Sequence, residues 1–240
     1  MNLEMLSEAR SHGGRQLVVK HASSATGTDM TFAIFLPPQA ERGPVPLLWY
    51  LSGLTCTHAN VTDKGEYRAA CAELGLAFVA PDTSPRGQDV PGDPEGAWDF
   101  GLGAGFYVDA TEEPWSRHYR MWSYVADELP ALIAAEFPVD ISRQGITGHS
   151  MGGHGALTVA LRHPERFRSV SAFAPIVAPS QVPWGEKAFT GYLGPDRTAW
   201  RRHDAVALIE DGARLPELLV DVGDADPFLE RELRPALLEQ

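Results

Sequence analysis

Cysteine is scarce: Cys56 and Cys71 are the whole complement in 240 residues. Two thiols cannot build a disulfide framework or a C-x-x-C metal knuckle, and such sparse usage fits a reducing compartment. Taken alone each reads as a small buried hydrophobe, Cys71 above all. Positive charge is also short. Lys and Arg number 20 against 32 Asp and Glu, a net charge of −12. A surface of that sign repels phosphate backbones and anionic headgroups, so neither nucleic acid nor a membrane is expected as a partner. Long apolar runs are missing too, and stretches such as 45–51 fall far short of the ~20 residues that cross a bilayer. Glu4 and Glu8 stand where a secretory leader needs a basic start, which points to the cytoplasm. Linkers, repeats and low-complexity tracts are lacking, leaving a single domain over residues 1–240.

What is present is enough to fold: 44% of residues are hydrophobic and 22% charged, the balance of an ordinary globular core. Segments 16–20 and 30–36 read as strands, the second ending at Pro37-Pro38. From Val45 onward short apolar runs at 47–51, 77–80, 144–147, 169–173 and 218–222 are separated by helical stretches. Those stretches fall at 64–74, 119–137, 153–163 and 205–209, with a last one from 227 to the chain end. Strand-helix alternation with wholly apolar strands predicts an α/β fold, a mostly parallel central sheet flanked by helices. Chemistry is then expected on loops beyond the carboxyl ends of the strands.

The sharpest pattern there is Gly148-His149-Ser150-Met151-Gly152-Gly153-His154-Gly155. G-x-S-x-G alone is a weak signal, but an apolar strand runs into it and a good helix former, 155–161, leaves it. That is the strand-turn-helix setting of a nucleophile elbow, with Ser150 presented at a helix N-terminus. The plainer alternative is a glycine-rich helix start with a capping serine. His149 and His154 have no spacing suited to a metal and read as local packing or polar contacts. Acyl transfer also needs N–H donors for the tetrahedral oxyanion. Met151 would supply one and Leu54, in the Ser52-Gly53-Leu54 loop after an apolar strand, the other. An acid should follow at the end of a later strand, where Asp221, Asp224 and Asp226 are available. Asp221 lies within the strand, and the residues alone leave Asp224 and Asp226 undecided.

Together with Pro81-Asp82-Thr83-Ser84-Pro85-Arg86-Gly87, Trp98-Asp99-Phe100-Gly101, Gly105-Phe106-Tyr107-Val108-Asp109 and Pro183-Trp184-Gly185, these blocks resemble S-formylglutathione hydrolase, or esterase D, from about residue 15 onward. The resemblance implies an α/β-hydrolase fold and hydrolysis of the thioester S-formylglutathione to formate and glutathione, with no cofactor and no metal. It implies Ser150 as nucleophile, Asp226 as triad acid through Gly223-x-x-Asp226-x-Phe228, and Leu54 and Met151 as oxyanion donors. Cys56 matches a cysteine near the active site and Trp184 an aromatic residue of the acyl pocket. With a formyl group to hold, Trp98, Phe106 and Trp184 are expected to narrow that pocket. A homodimer is also suggested.

One departure matters. The family's general base is a histidine after a further strand, whereas no histidine follows His203 here. A relative would continue for roughly forty residues through an edge strand, a histidine-bearing loop and a closing helix. The expectation is that this chain lacks the last strand and helix and is inactive or impaired. His203 is a poor substitute because it precedes the acid. Rival readings are a general short-chain carboxylesterase or acyltransferase of the same fold, and a catalytically dead hydrolase-fold binding protein.

Overall fold

Runs rich in β-branched and aromatic residues assemble into one eight-stranded sheet in the computed structural model, which describes residues 3–215 and 217–239. The strands are β1 (Leu3–Ser11), β2 (Gly14–Ala22), β3 (Asp29–Leu36), β4 (Val45–Leu51), β5 (Ala77–Pro81), β6 (Val139–His149), β7 (Phe167–Phe173) and β8 (Leu219–Asp221). They lie side by side in the order β1-β2-β3-β5-β4-β6-β7-β8. The first three and β5 pair antiparallel, while β5, β4, β6, β7 and β8 run parallel. The mostly parallel sheet read from the sequence is therefore present, with an antiparallel extension at one side. Every residue of β5 is buried, as a strand covered on both faces must be.

The helices are α1 (His58–Lys64), α2 (Tyr67–Leu74), α3 (Met121–Ser123), α4 (Leu129–Glu136), α5 (Met151–Arg162), α6 (Pro183–Leu193), α7 (Arg197–Trp200) and α8 (Ala205–Glu210). Among the described residues, no helix is long and apolar enough to cross a membrane. The position of α5 matters most for function. Its residues from Met151 to Leu161 are all buried, so the helix that begins at the G-x-S-x-G turn is set deep against the sheet.

Several expectations are corrected by local physics. The stretch 64–74 is two helices broken at Gly65, and α1 starts earlier because Thr57 and Asn60 form a reciprocal capping box. The expected helix over 119–137 is interrupted between α3 and α4 by a wider turn, Tyr124–Glu128, in which the Leu129 N–H reaches back to the Tyr124 carbonyl. Pro130 has no N–H to give and its ring crowds the preceding turn, which favours the wider spacing. No continuous helix runs from 227. A wide turn, Leu229–Leu233, gives way to a short 3₁₀ turn, Pro235–Glu239, with Arg234 left-handed at φ 50° between them. Pro235 bars Arg234 from the helical region. Three labelled elements were not anticipated: β1, whose exposed charged residues hide its strand character, α6, which opens on proline, and the four-residue α7.

Candidate active site

The strand β6 feeds directly into α5, and the join is tight because glycine occupies the points of closest approach. A Cβ at Gly148 would lie 2.1 Å from the Gly152 carbonyl oxygen, and one at Gly152 would lie 1.9 Å from that of Leu51. Between them Ser150 adopts φ 58°, ψ −119°, a conformation costly for a non-glycine residue and sustained by its surroundings. Its N–H donates to the Phe173 carbonyl at 2.9 Å, and its own carbonyl accepts from His154 N–H at 3.0 Å and Ile176 N–H at 3.3 Å. The hydroxyl is left half-exposed at the N-terminus of a twelve-residue helix, where the backbone dipoles favour negative charge.

A cavity of about 340 Å³ opens over this serine, lined by Gly53, Leu54, Cys56, Trp98, His149, Ser150, Ala174, Trp184, Asp226, Pro227, Phe228 and Leu233. The structure thus brings together six of the eight residues singled out from the sequence and adds Met151 through the chain beside Ser150. Among the described residues neither the Leu54 N–H nor the Met151 N–H donates to another backbone group. Two unspent donors beside a serine are what an oxyanion site requires.

Phe106 is the exception. It is fully buried and is not part of the cavity wall. Its ring packs on His154 and Phe189, because Phe106 and Tyr107 both take left-handed backbone conformations, φ 48° and 51°, and direct that loop into the core. The walls are instead Trp98 and Trp184, with ring centroids 5.4 Å apart and edge to face, and Phe228, 4.7 Å from Trp184.

Position separates the two loop aspartates: Asp226 lines the cavity and Asp224 does not. Asp221 stays in β8, where its carbonyl accepts from Ala174 N–H at 2.7 Å. Asp226 turns the chain locally, its Oδ1 accepting from Phe228 N–H at 2.8 Å.

The imidazoles separate clearly. His203 is buried against Trp122 and Phe189, and burial, with Arg202 adding to it, pushes its pKa down to about 3. His154 is also fully buried, its Nε2 2.9 Å from the Phe106 carbonyl oxygen, and burial lowers it to about 4. His149 lines the cavity, where burial lowers its pKa and Asp226 opposes that shift. Among the described residues, no imidazole is hydrogen-bonded to the Ser150 hydroxyl.

Cys56 lies in the wall with its thiol pKa pushed up by burial, so it is held as a thiol rather than an attacking thiolate. Cys71 packs with Phe35, Phe78 and Ala80, and burial raises it to about 11. Sequence reasoning missed the supports of the Leu54 loop. Tyr107 donates its hydroxyl to the Ser52 carbonyl at 2.8 Å, Thr55 N–H donates to Gly103 O at 2.8 Å, and the Thr83 hydroxyl and Arg86 guanidinium donate to the Cys56 carbonyl. The last two belong to the 81–87 block noted in the sequence, but nothing in a linear pattern shows that the block reaches back under residue 56.

Comparison with known proteins agrees with this architecture. Residues 23–240 match the family described as putative esterase. The chain is 57% identical to the S-formylglutathione hydrolase of Paracoccus denitrificans (strain Pd 1222), over 98% of this chain and 83% of that protein. It belongs to the S-formylglutathione hydrolase family. The mouse relative is 53% identical over 95% of this chain and 81% of its own length. The solved S-formylglutathione hydrolase of Agrobacterium tumefaciens superimposes with a TM-score of 0.97 at 62% identity, covering all of this chain and 85% of that one. The family's α/β-hydrolase fold and serine-hydrolase chemistry therefore apply here.

Proposed function

We propose that this protein hydrolyses S-formylglutathione to formate and glutathione, with Ser150 as nucleophile. The observation that carries the reading is the strained Ser150 in a tryptophan-walled cavity beside two uncommitted N–H groups, Leu54 and Met151. Ser150 Oγ attacks the formyl carbon while its proton passes to a general base, the role the family resemblance gives to a histidine with no counterpart after His203 in this sequence, and the carbonyl oxygen becomes an oxyanion held by those two donors. The C–S bond then breaks and glutathione leaves, its sulfur taking up the proton. Water attacks the formyl ester on Ser150, and breaking the C–Oγ bond releases formate and restores the serine. Asp226 is the acid that would orient and stabilise that histidine once protonated.

Trp98, Trp184 and Phe228 confine the acyl group, and a cavity this apolar strengthens the oxyanion hydrogen bonds by excluding water. Cys56 is a bystander thiol in the wall. The deciding experiment compares hydrolysis of formyl, acetyl and butyryl thioesters of glutathione, together with labelling by a fluorophosphonate. A preference for the formyl thioester and stoichiometric labelling at Ser150 are expected. Equal turnover of all three would favour a general esterase, and absence of labelling would favour a binding protein.

A further inference from the structure

A buried carboxylate that plays no part in this mechanism sits behind the cavity wall. Glu232 is fully buried, on the short turn that follows the Asp226 loop. Its Oε2 accepts from the Trp184 backbone N–H at 3.0 Å, one of the otherwise unpaired donors in the first turn of the eleven-residue α6. Its Oε1 has no hydrogen-bond partner and only the exposed Arg231 guanidinium, 3.2 Å away, as a counter-charge. Burial pushes its carboxyl pKa up, with Trp184 and Arg231 opposing. Burying a carboxylate so thinly compensated is costly. A carboxylate held at that cost points to a role that an apolar residue could not fill.

The neighbourhood supplies that role. The same turn places Leu233 in the cavity wall, and the Leu233 carbonyl accepts from Val177 N–H at 3.2 Å. Glu232 therefore joins two parts of the site that are remote in sequence: the segment bearing Asp226, and the start of α6 that carries Trp184. We infer that Glu232 is a positioning residue for acyl selectivity, tying the Trp184 wall to the acid-bearing segment so that the cavity stays narrow enough to favour the smallest acyl group. It touches no reacting atom and acts through Trp184. The inference rests on the hydrolase reading above and names a determinant of its selectivity.

The test is the ratio of kcat/KM for formyl over butyryl thioester in the wild type, Glu232→Gln, Glu232→Asp and Glu232→Ala. Glutamine keeps an oxygen at the Trp184 N–H, so its ratio should stay within about threefold of wild type. Alanine removes the tie, and the ratio should fall by about tenfold, mostly through a rise in KM for the formyl substrate. Aspartate is a methylene too short and should shift the ratio in the same direction by a smaller factor, which serves if the alanine variant does not fold. In a Trp184→Ala background the Glu232 substitutions should no longer change the ratio. A ratio unaltered in both the alanine and aspartate variants of an active enzyme, or one lost equally in the glutamine variant, overturns the inference and leaves the hydrolase reading standing. A wild type that hydrolyses no acyl thioester overturns both.

Discussion

Ser150 and Asp226, the proposed nucleophile and acid, are held in opposite ways. Ser150 sits between the long central strand β6 and a buried helix, with three backbone hydrogen bonds at one residue and glycines at contact distance on either side. Asp226 follows β8, which is three residues long, pairs among the described residues only with β7, and has its Leu219 54% exposed. The bonds that shape its loop are local, Asp226 N–H to Gly223 O at 3.1 Å and Phe228 N–H to the Asp226 carboxylate at 2.8 Å. Ser150 is thus part of the core and Asp226 is a guest on a turn. Changes at the glycines around the first should couple chemistry to folding, and changes at the second should separate them.

The largest expected effect is chemical. In an active form of the protein, Ser150→Ala should lower kcat by on the order of 10⁶ while the fold survives, since the side chain makes no hydrogen bond among the described residues. Turnover above about one hundredth of wild type would remove the serine mechanism. Asp226→Asn comes next, with a fall in kcat of ~10⁴ and an unchanged unfolding midpoint. A midpoint that dropped with the rate would show that the acid loop is as integral to the core as the elbow, erasing the contrast.

Gly152→Ala attacks the other side of the comparison. Its Cβ would meet the Leu51 carbonyl at 1.9 Å, an overlap with backbone that no rotamer relieves, so a loss of ~3 kcal/mol in stability together with activity is expected. Urea unfolding reads it, and a stable but inactive variant would contradict the coupling. Smaller still is the contribution of the two buried histidines. His154 and His203 fold as neutral groups with pKa about 4 and about 3, against about 6.5 in the unfolded chain. The unfolded state therefore binds protons that the folded state refuses. Their stabilising effect is complete above about pH 6.5 and is lost as pH falls toward the folded values, at up to ~1.4 kcal/mol per pH unit for each histidine. His203→Leu should flatten the urea midpoint between pH 7 and 5, and an unchanged slope would count against a neutral buried His203.

The smallest effect is expected at Cys56. Cys56→Ser should keep kcat within about threefold, whereas a bulky thiol reagent should block the cavity of the wild type. If the serine variant were as inactive as Ser150→Ala, the thiol would be part of the chemistry.

The local features that signal chemistry were legible in the chain. The Gly148 to Gly155 elbow, the Leu54 loop and the parallel strands with their intervening helices follow from short-range rules: apolar period, glycine where backbones touch, a serine between strand and helix. Other features required the packed molecule. Asp224 and Asp226 are two residues apart with the same chemistry, and only the turn after β8 puts one of them at the cavity. Phe106 has the aromatic character of a wall residue, yet a left-handed backbone sends it into the core. Tyr107, Thr83 and Glu232 act on residues tens of positions away, through contacts that exist only once the sheet has ordered its strands. Periodicity and turn chemistry report each residue's immediate neighbours along the chain. Which cavity a side chain faces is decided by long-range packing, and that is where the site acquires its shape.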